Sequence, residues 1–255
     1  MVTARERAPG RLSCDMSGPS WPLGIPTRLR PLAVLAAGEA TIVWQVRDTE
    51  VGTDLAVKVI TVTEGSTVDP ALRAETEARA LARLAGLDGV VALRELGRCG
   101  SGDAWLAYDL VTGGTLADRA PCGAHEVVEV GATVARTLAE AHRRLVHHGD
   151  ISPANVVFDA AGTALLADFG MAGLGHAPDD PGGLTPAFAP PERLRGSGPA
   201  ASADVYSLAA TLLAVTAPTA RDEVASVLDR CWNEDPSERP SAAALADALR
   251  AVRPR

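Results

Sequence analysis

From Leu29 to Leu110 the chain runs mostly as short β-prone segments, and beyond Gly113-Gly114 its apolar residues recur at helical spacing. This change of period constrains the fold more than any other feature, because alternating residues build sheet and residues recurring at i, i+3 and i+4 build helix. In the first part Pro31–Ala37, Thr41–Arg47 and Leu55–Val62 read as strands, separated by turn signals at Gly38-Glu39 and Val51-Gly52. Asp69-Pro70 opens one amphipathic helix running to Ala85, with Ala74, Ala78, Leu81 and Ala85 on one side. Val90–Glu95 and Ala104–Leu110 read as two further strands. In the second part Ala124–Leu145 carries Val127, Val130, Val134 and Leu138 on one helical face. Short strands at Val156–Phe158 and Ala164–Ala167 flank a turn, a Gly/Pro-rich loop spans Gly170 to Pro191, and helices follow near Ala203–Val215, Ala220–Trp232 and Ala242–Val252. A strand-rich part followed by a helical part predicts an α+β fold of two lobes, with residues 1–27, rich in Pro, Gly, Ser and Arg, as a flexible leader.

The composition narrows what such a chain does. A net charge of -8 argues against a general affinity for nucleic acid or for an anionic membrane surface. Cys14, Cys99, Cys122 and Cys231 are scattered without a CxxC pair, which reads as reduced thiols in a cytoplasmic protein. No apolar run reaches the roughly 18 residues of a membrane span, and no apolar core follows Arg5, Arg7 and Arg11 to make a secretory signal. Of the 24 basic residues only Lys58 is a lysine. Chance in an arginine-rich chain is one reading; the other is a position that needs a compact ammonium where a planar guanidinium does not serve.

Lys58 stands in Leu55-Ala56-Val57-Lys58 on the third strand, and Glu77 follows in the amphipathic helix. Further on come His147-His148-Gly149-Asp150-Ile151-Ser152-Pro153-Ala154-Asn155, then Ala167-Asp168-Phe169-Gly170. Thr185-Pro186-Ala187-Phe188-Ala189-Pro190-Pro191-Glu192, Asp204-Val205-Tyr206-Ser207 and Glu238-Arg239-Pro240 complete the order. Together these segments, from Leu29 to Val252, resemble a eukaryotic-like (Hanks-type) bacterial Ser/Thr protein kinase domain.

The resemblance implies a bilobal protein-kinase-like fold: a small β-rich N-lobe with its one main helix and a hinge over residues 28–111, and a larger helical C-lobe over 112–255. It implies ATP and magnesium as cofactors and a protein Ser/Thr hydroxyl as acceptor, Ala154 and Thr185 favouring Ser/Thr over Tyr. In the family's roles, Glu77 holds Lys58 against the α- and β-phosphates, Asp150 accepts the substrate hydroxyl proton, and Asn155 and Asp168 bind magnesium. Phe169 packs beneath the helix carrying Glu77, over His148, and Glu192 and Arg239 form a buried ion pair. Leu35, Val43 and Ala56 sandwich adenine, Gly38 belongs to the phosphate loop, Tyr108 is the gatekeeper, and Asp109 to Val111 form the hinge.

Four departures accompany the match. The glycine-rich loop reads Ala36-Ala37-Gly38-Glu39-Ala40-Thr41, so one glycine of three survives, and β-branched Thr41 suits unusual dihedrals poorly. Ser152 replaces the catalytic-loop lysine; losing one such electrostatic contact costs roughly 10²–10³-fold in rate. Gly149 replaces the arginine that reads an activation-loop phosphate, and no Ser, Thr or Tyr lies between Gly170 and Leu184, so no phosphate switch of that type is expected. Only Thr216–Ala220 separates two helices where the family inserts another. Two alternatives therefore stay open beside the protein kinase. One is a pseudokinase serving as a nucleotide- or partner-binding module; the other is a small-molecule phosphotransferase of the aminoglycoside- or choline-kinase type, which the His148-Gly149-Asp150 sequence also resembles.

Overall fold

The computed structural model describes residues 20–38, 40–62, 69–100, 102–173 and 185–252. Five antiparallel strands form the first sheet in the order β1-β2-β3-β5-β4: β1 (Leu29–Ala37), β2 (Thr41–Asp48), β3 (Thr53–Ile60), β4 (Leu93–Arg98) and β5 (Ala104–Asp109). Helix α1 (Pro70–Arg83) packs against β3, β4 and β5, with the Asp69 carboxylate accepting from the amide of Ala71 at its N-terminus. Strand periodicity divides β3 between two cores. Leu55, Val57 and Val59 join Trp44, Val46 and Trp105 on one face. Ile60 joins Leu106, Tyr108 and the apolar side of α1 on the other.

Trp21 and Ile25, within the stretch assigned to the leader, belong to the first of these faces. Trp21 meets Trp44 edge-on, ring centroids 5.4 Å apart, and Ile25 is buried, so the packed lobe begins before Arg28. Residues 1–19, including Cys14, lie outside the described residues. The fourth strand also differs from expectation, lying at Leu93–Arg98 rather than Val90–Glu95. The apolar pair Val90-Val91 owes its character to the second lobe: Val90 bridges Leu166, and the Val91 amide donates to the Leu166 carbonyl at 3.0 Å.

The second lobe begins with α2 (Leu116–Arg119), a short helix that the sequence did not suggest, closed by a capping box between Thr115 and Asp118. Helix α3 (Ala124–Arg143) buries Val127, Val130, Val134 and Leu138 as their spacing requires. Strands β6 (Val156–Phe158) and β7 (Ala164–Leu166) form a hairpin beside it. Then come α4 (Pro191–Leu194), the largely buried α5 (Ala201–Val215), α6 (Arg221–Leu228) and α7 (Ala242–Ala251), the last lying along α3. The predicted helix over Ala220–Trp232 ends as α-helix at Leu228 and continues as a 3-10 turn over Asp229–Trp232.

The link from α5 to α6 is as short as the sequence suggests. The Cys122 amide donates to the Val215 carbonyl at 2.7 Å and the Ala217 amide to the Cys122 carbonyl at 2.8 Å. The end of α5 is thereby tied to the α2–α3 connection. Cys99, Cys122 and Cys231 are all buried and free. Among the described residues no helix is long and apolar enough to cross a membrane.

Candidate active site

Lys58 sits on β3 opposite Val43 of β2 and Leu106 of β5, only 7% exposed. Its ammonium donates to Glu77 Oε2 at 2.9 Å and to Asp168 Oδ1 at 2.6 Å. Three residues far apart in the chain thus meet at one nitrogen. Glu77, in the middle of α1, is fully buried, and its Oε1 accepts from the Tyr108 hydroxyl at 2.5 Å. Burial alone would lower the Lys58 pKa, but the charges of Asp168 and Glu77 outweigh it and keep the ammonium protonated. Burial pushes the Glu77 carboxyl up, opposed by Lys58 and by the Tyr108 hydroxyl. Asp168 is held below its ordinary value: burial would raise it, and the charge and hydrogen bond of Lys58 prevail.

Asp168 adopts φ +61, and its Oδ1 also accepts from the Gly170 amide at 3.1 Å. The following Phe169 is buried with its ring 4.6 Å from His148, as the resemblance implied, and shares one core with Ala74 and Leu81 of α1. His148 Nε2 lies 3.0 Å from the Ala167 carbonyl. The loop before Asp150 hangs on Asp204 near the start of α5, whose carboxylate accepts from the amides of His148 (2.8 Å) and Gly149 (2.9 Å). The same carboxylate meets His142 Nε2 at 2.8 Å. This anchoring role of Asp204, and the part of His142 in it, sequence reading missed. The Asp204-Val205-Tyr206-Ser207 segment marked the position, while nothing in the sequence marked His142.

Asp150 is half-buried, its Oδ1 accepting from the Thr185 amide at 2.8 Å and its Oδ2 from Asn155 Nδ2 at 3.2 Å. Asn155 Nδ2 also donates to the Asp150 carbonyl at 2.8 Å, and the Asn155 carbonyl accepts from Ala167, one residue before Asp168. With its NH₂ group spent on Asp150, Asn155 has its amide oxygen left to offer a cation. That oxygen and the Asp168 carboxylate are the hard donors that magnesium takes, so the residues fit the ion. Lys58 places its ammonium beside Asp168. Ser152 is buried and brings no charge, and its carbonyl accepts from the Asn155 amide.

The predicted base pocket is placed as follows. Ala56 pairs with Tyr108 and Leu55 with Asp109 across β3 and β5. Val43 and Ala56 are half-buried, while Leu35 sits at a β1 bulge, 49% exposed. The carboxylate of Asp109, predicted as a hinge residue, is gripped by Arg94 through two 2.6 Å bonds. Val111 follows, half-buried. The Gly38 amide donates to the Thr41 carbonyl at 2.8 Å, where β1 passes to β2, and Gly38 has no positive φ. Farther off, Arg239 grips Glu192 with both terminal nitrogens, at 2.5 and 2.9 Å, and lies over the Tyr206 ring at 5.0 Å. The stretch 174–184, within the loop that lacks hydroxyl residues, lies outside the described residues.

A protein kinase domain model matches residues 30–221. The chain belongs to that family, and its domain is of the bacterial serine/threonine type. It is 30% identical over 228 residues to the serine/threonine-protein kinase PknL of Mycobacterium bovis, covering 85% of this chain and 56% of that protein. To the DNA damage-responsive serine/threonine-protein kinase RqkA of Deinococcus radiodurans it is 30% identical over 240 residues, 88% of this chain and 36% of that protein. To the serine/threonine-protein kinase PknK of Mycobacterium tuberculosis it is 28% identical over 217 residues, 70% of this chain and 20% of that protein. The chain thus spans between a fifth and just over half of the length of these relatives.

Proposed function

We propose that the chain is an ATP- and magnesium-dependent kinase that transfers the γ-phosphate to a Ser or Thr hydroxyl of a protein. The observation that carries this reading is the convergence of Glu77 and Asp168 on Lys58. Bound together, ATP and magnesium supply the phosphoryl group and the positive charge that its transfer requires. Lys58, oriented by Glu77, would contact the phosphates, and Asp168 with Asn155 would hold the ion. Asp150, steadied by the Thr185 amide and by Asn155, accepts the acceptor hydroxyl proton as the oxygen–phosphorus bond forms and the γ-phosphorus–bridging-oxygen bond breaks. Positioning and charge do most of the catalytic work in this chemistry, and an uncharged Ser152 slows it without removing any of those groups.

The amide of Thr185 beside Asp150 and the Glu192–Arg239 pair behind it support a protein acceptor. These contacts, together with the His147–Gly173 backbone bridge, tie down the described ends of the activation segment. The test is incubation with γ-labelled ATP and magnesium, offering generic protein acceptors, an aminoglycoside and choline in parallel. Label on Ser or Thr of protein supports the reading. Label on the small molecules alone replaces it with the small-molecule phosphotransferase. Bound ATP with no transfer to any acceptor replaces it with a pseudokinase.

A further inference from the structure

Glu77 does more than meet Lys58: each of its oxygens has its own partner. Lys58 takes Oε2 and the Tyr108 hydroxyl takes Oε1. Both Glu77 and Tyr108 are buried, at 0% and 8% exposure, so water does not replace a lost donor readily. Lys58 is meanwhile shared with Asp168, at 2.6 Å. A carboxylate in this setting, with one divided cation, gains its fixed orientation from the neutral donor on its other oxygen.

The attachment of α1 gives that donor mechanical consequence. The C-terminal end of the helix is tied to the second lobe, where Arg144 Nη1 donates to the carbonyls of Arg83 at 3.2 Å and Ala85 at 3.3 Å. Toward the sheet, the bonds from Glu77 are buried, whereas the Glu75–Arg98 contact is an exposed pair at 3.2 Å, of the kind worth little. Tyr108 stands on β5 with its backbone fixed between β3 and β4, opposite Ala56 and Leu93. Its hydroxyl is therefore a rigid post against which the middle of α1 is held.

We propose that Tyr108 is a positioning residue whose hydroxyl, by holding Glu77, fixes α1 in the place from which Glu77 orients Lys58. This rests on the kinase reading for its consequence, though not for its geometry. In that reading Asp168 would hold the metal ion and Lys58 the phosphates, and the Tyr108 bond keeps the Glu77 carboxylate aimed at Lys58.

The test uses Tyr108→Phe, which keeps the ring and removes the hydroxyl, and Tyr108→Met, which is also apolar and lacks it. Two quantities are read, the ATP dissociation constant and amide hydrogen exchange along α1 in nucleotide-free protein. Both variants are expected to weaken ATP binding by about ten-fold and to speed exchange in α1 by a similar factor, with the remaining helices unchanged. In a Glu77→Ala background the same tyrosine changes have no further effect on α1, which a purely packing role would not produce. Unchanged exchange and affinity in Tyr108→Phe, or an equal increase with and without Glu77, overturns the proposal. If the wild type binds no ATP, the kinase reading fails, and exchange in α1 still decides whether the clamp exists.

Discussion

Gly149 immediately precedes Asp150 and adopts φ +83, in the left-handed region. A Cβ added there would lie 2.5 Å from the Met171 carbonyl oxygen and 3.3 Å from the Pro199 ring. The first contact is with backbone, which does not swing aside. A non-glycine residue at such a φ costs about 1–3 kcal/mol, and relieving the clash adds to it, so Gly149→Ala is expected to destabilise by about 2–4 kcal/mol. For a chain of this size that lowers the melting temperature by roughly 5–15 °C. Thermal unfolding followed by circular dichroism reads the change, with Gly100→Ala as control, since a Cβ at Gly100 meets nothing within 4 Å and the glycine has no positive φ. The arginine usual at position 149 would suffer the same strain, so Gly149→Arg should lose stability as well and gain no dependence on a phosphate. A Gly149→Ala protein melting with the wild type would refute the argument, because both the dihedral and the close approach would then be without cost.

Three further outcomes follow from particular contacts. Glu192→Ala removes both carboxylate bonds of the buried Arg239 guanidinium, which keeps the Asn233 and Ser202 carbonyls and its place over Tyr206, and should cost about 2–4 kcal/mol in a chemical denaturation curve. Trp21→Ala removes the edge-on partner of Trp44 and should cost about 1–3 kcal/mol while altering tryptophan emission; an unchanged midpoint would place residues 20–27 outside the cooperative unit. Stability should also fall on acidification. Burial and the neighbouring His142 hold His147 below its ordinary 6.5 against the pull of Asp204, so the stability it contributes is full above pH 6.5 and is lost as pH falls through its lowered value. Asp204, which burial would raise but its bonds with His142, His148 and Gly149 hold below 3.8, adds a further loss at lower pH. Melting temperatures from about pH 7.5 to 5 should decline in the wild type and decline less in His147→Asn.

The family, the order of the motifs and the two-lobed plan were legible because each rests on local signals. Period-2 and helical patterns marked most elements, and Lys58, Glu77, Asp150, Asn155 and Asp168 stood in recognisable short contexts. What escaped depends on contacts between distant segments. Val90 and Val91 look like strand because they are apolar, yet Leu166 of the second lobe is what engages them. Trp21 and Ile25 lie in a Pro- and Gly-rich stretch, and only the outer face of the sheet explains them. The Tyr108–Glu77 bond joins residues 31 apart with no motif between them. His142 falls at the end of a regular amphipathic helix, where only the approach of Asp204 gives it a partner.

In the proposed reaction the Asp150 carboxylate, and not merely the fold around it, accepts the hydroxyl proton. Its most direct test is the rate of label transfer from ATP to protein by Asp150→Asn beside the wild type, with ATP binding measured on both. The account predicts intact ATP binding and a rate lowered by at least about 10²-fold in the variant. Transfer at the wild-type rate by Asp150→Asn, or none by wild-type protein that binds ATP, would contradict it.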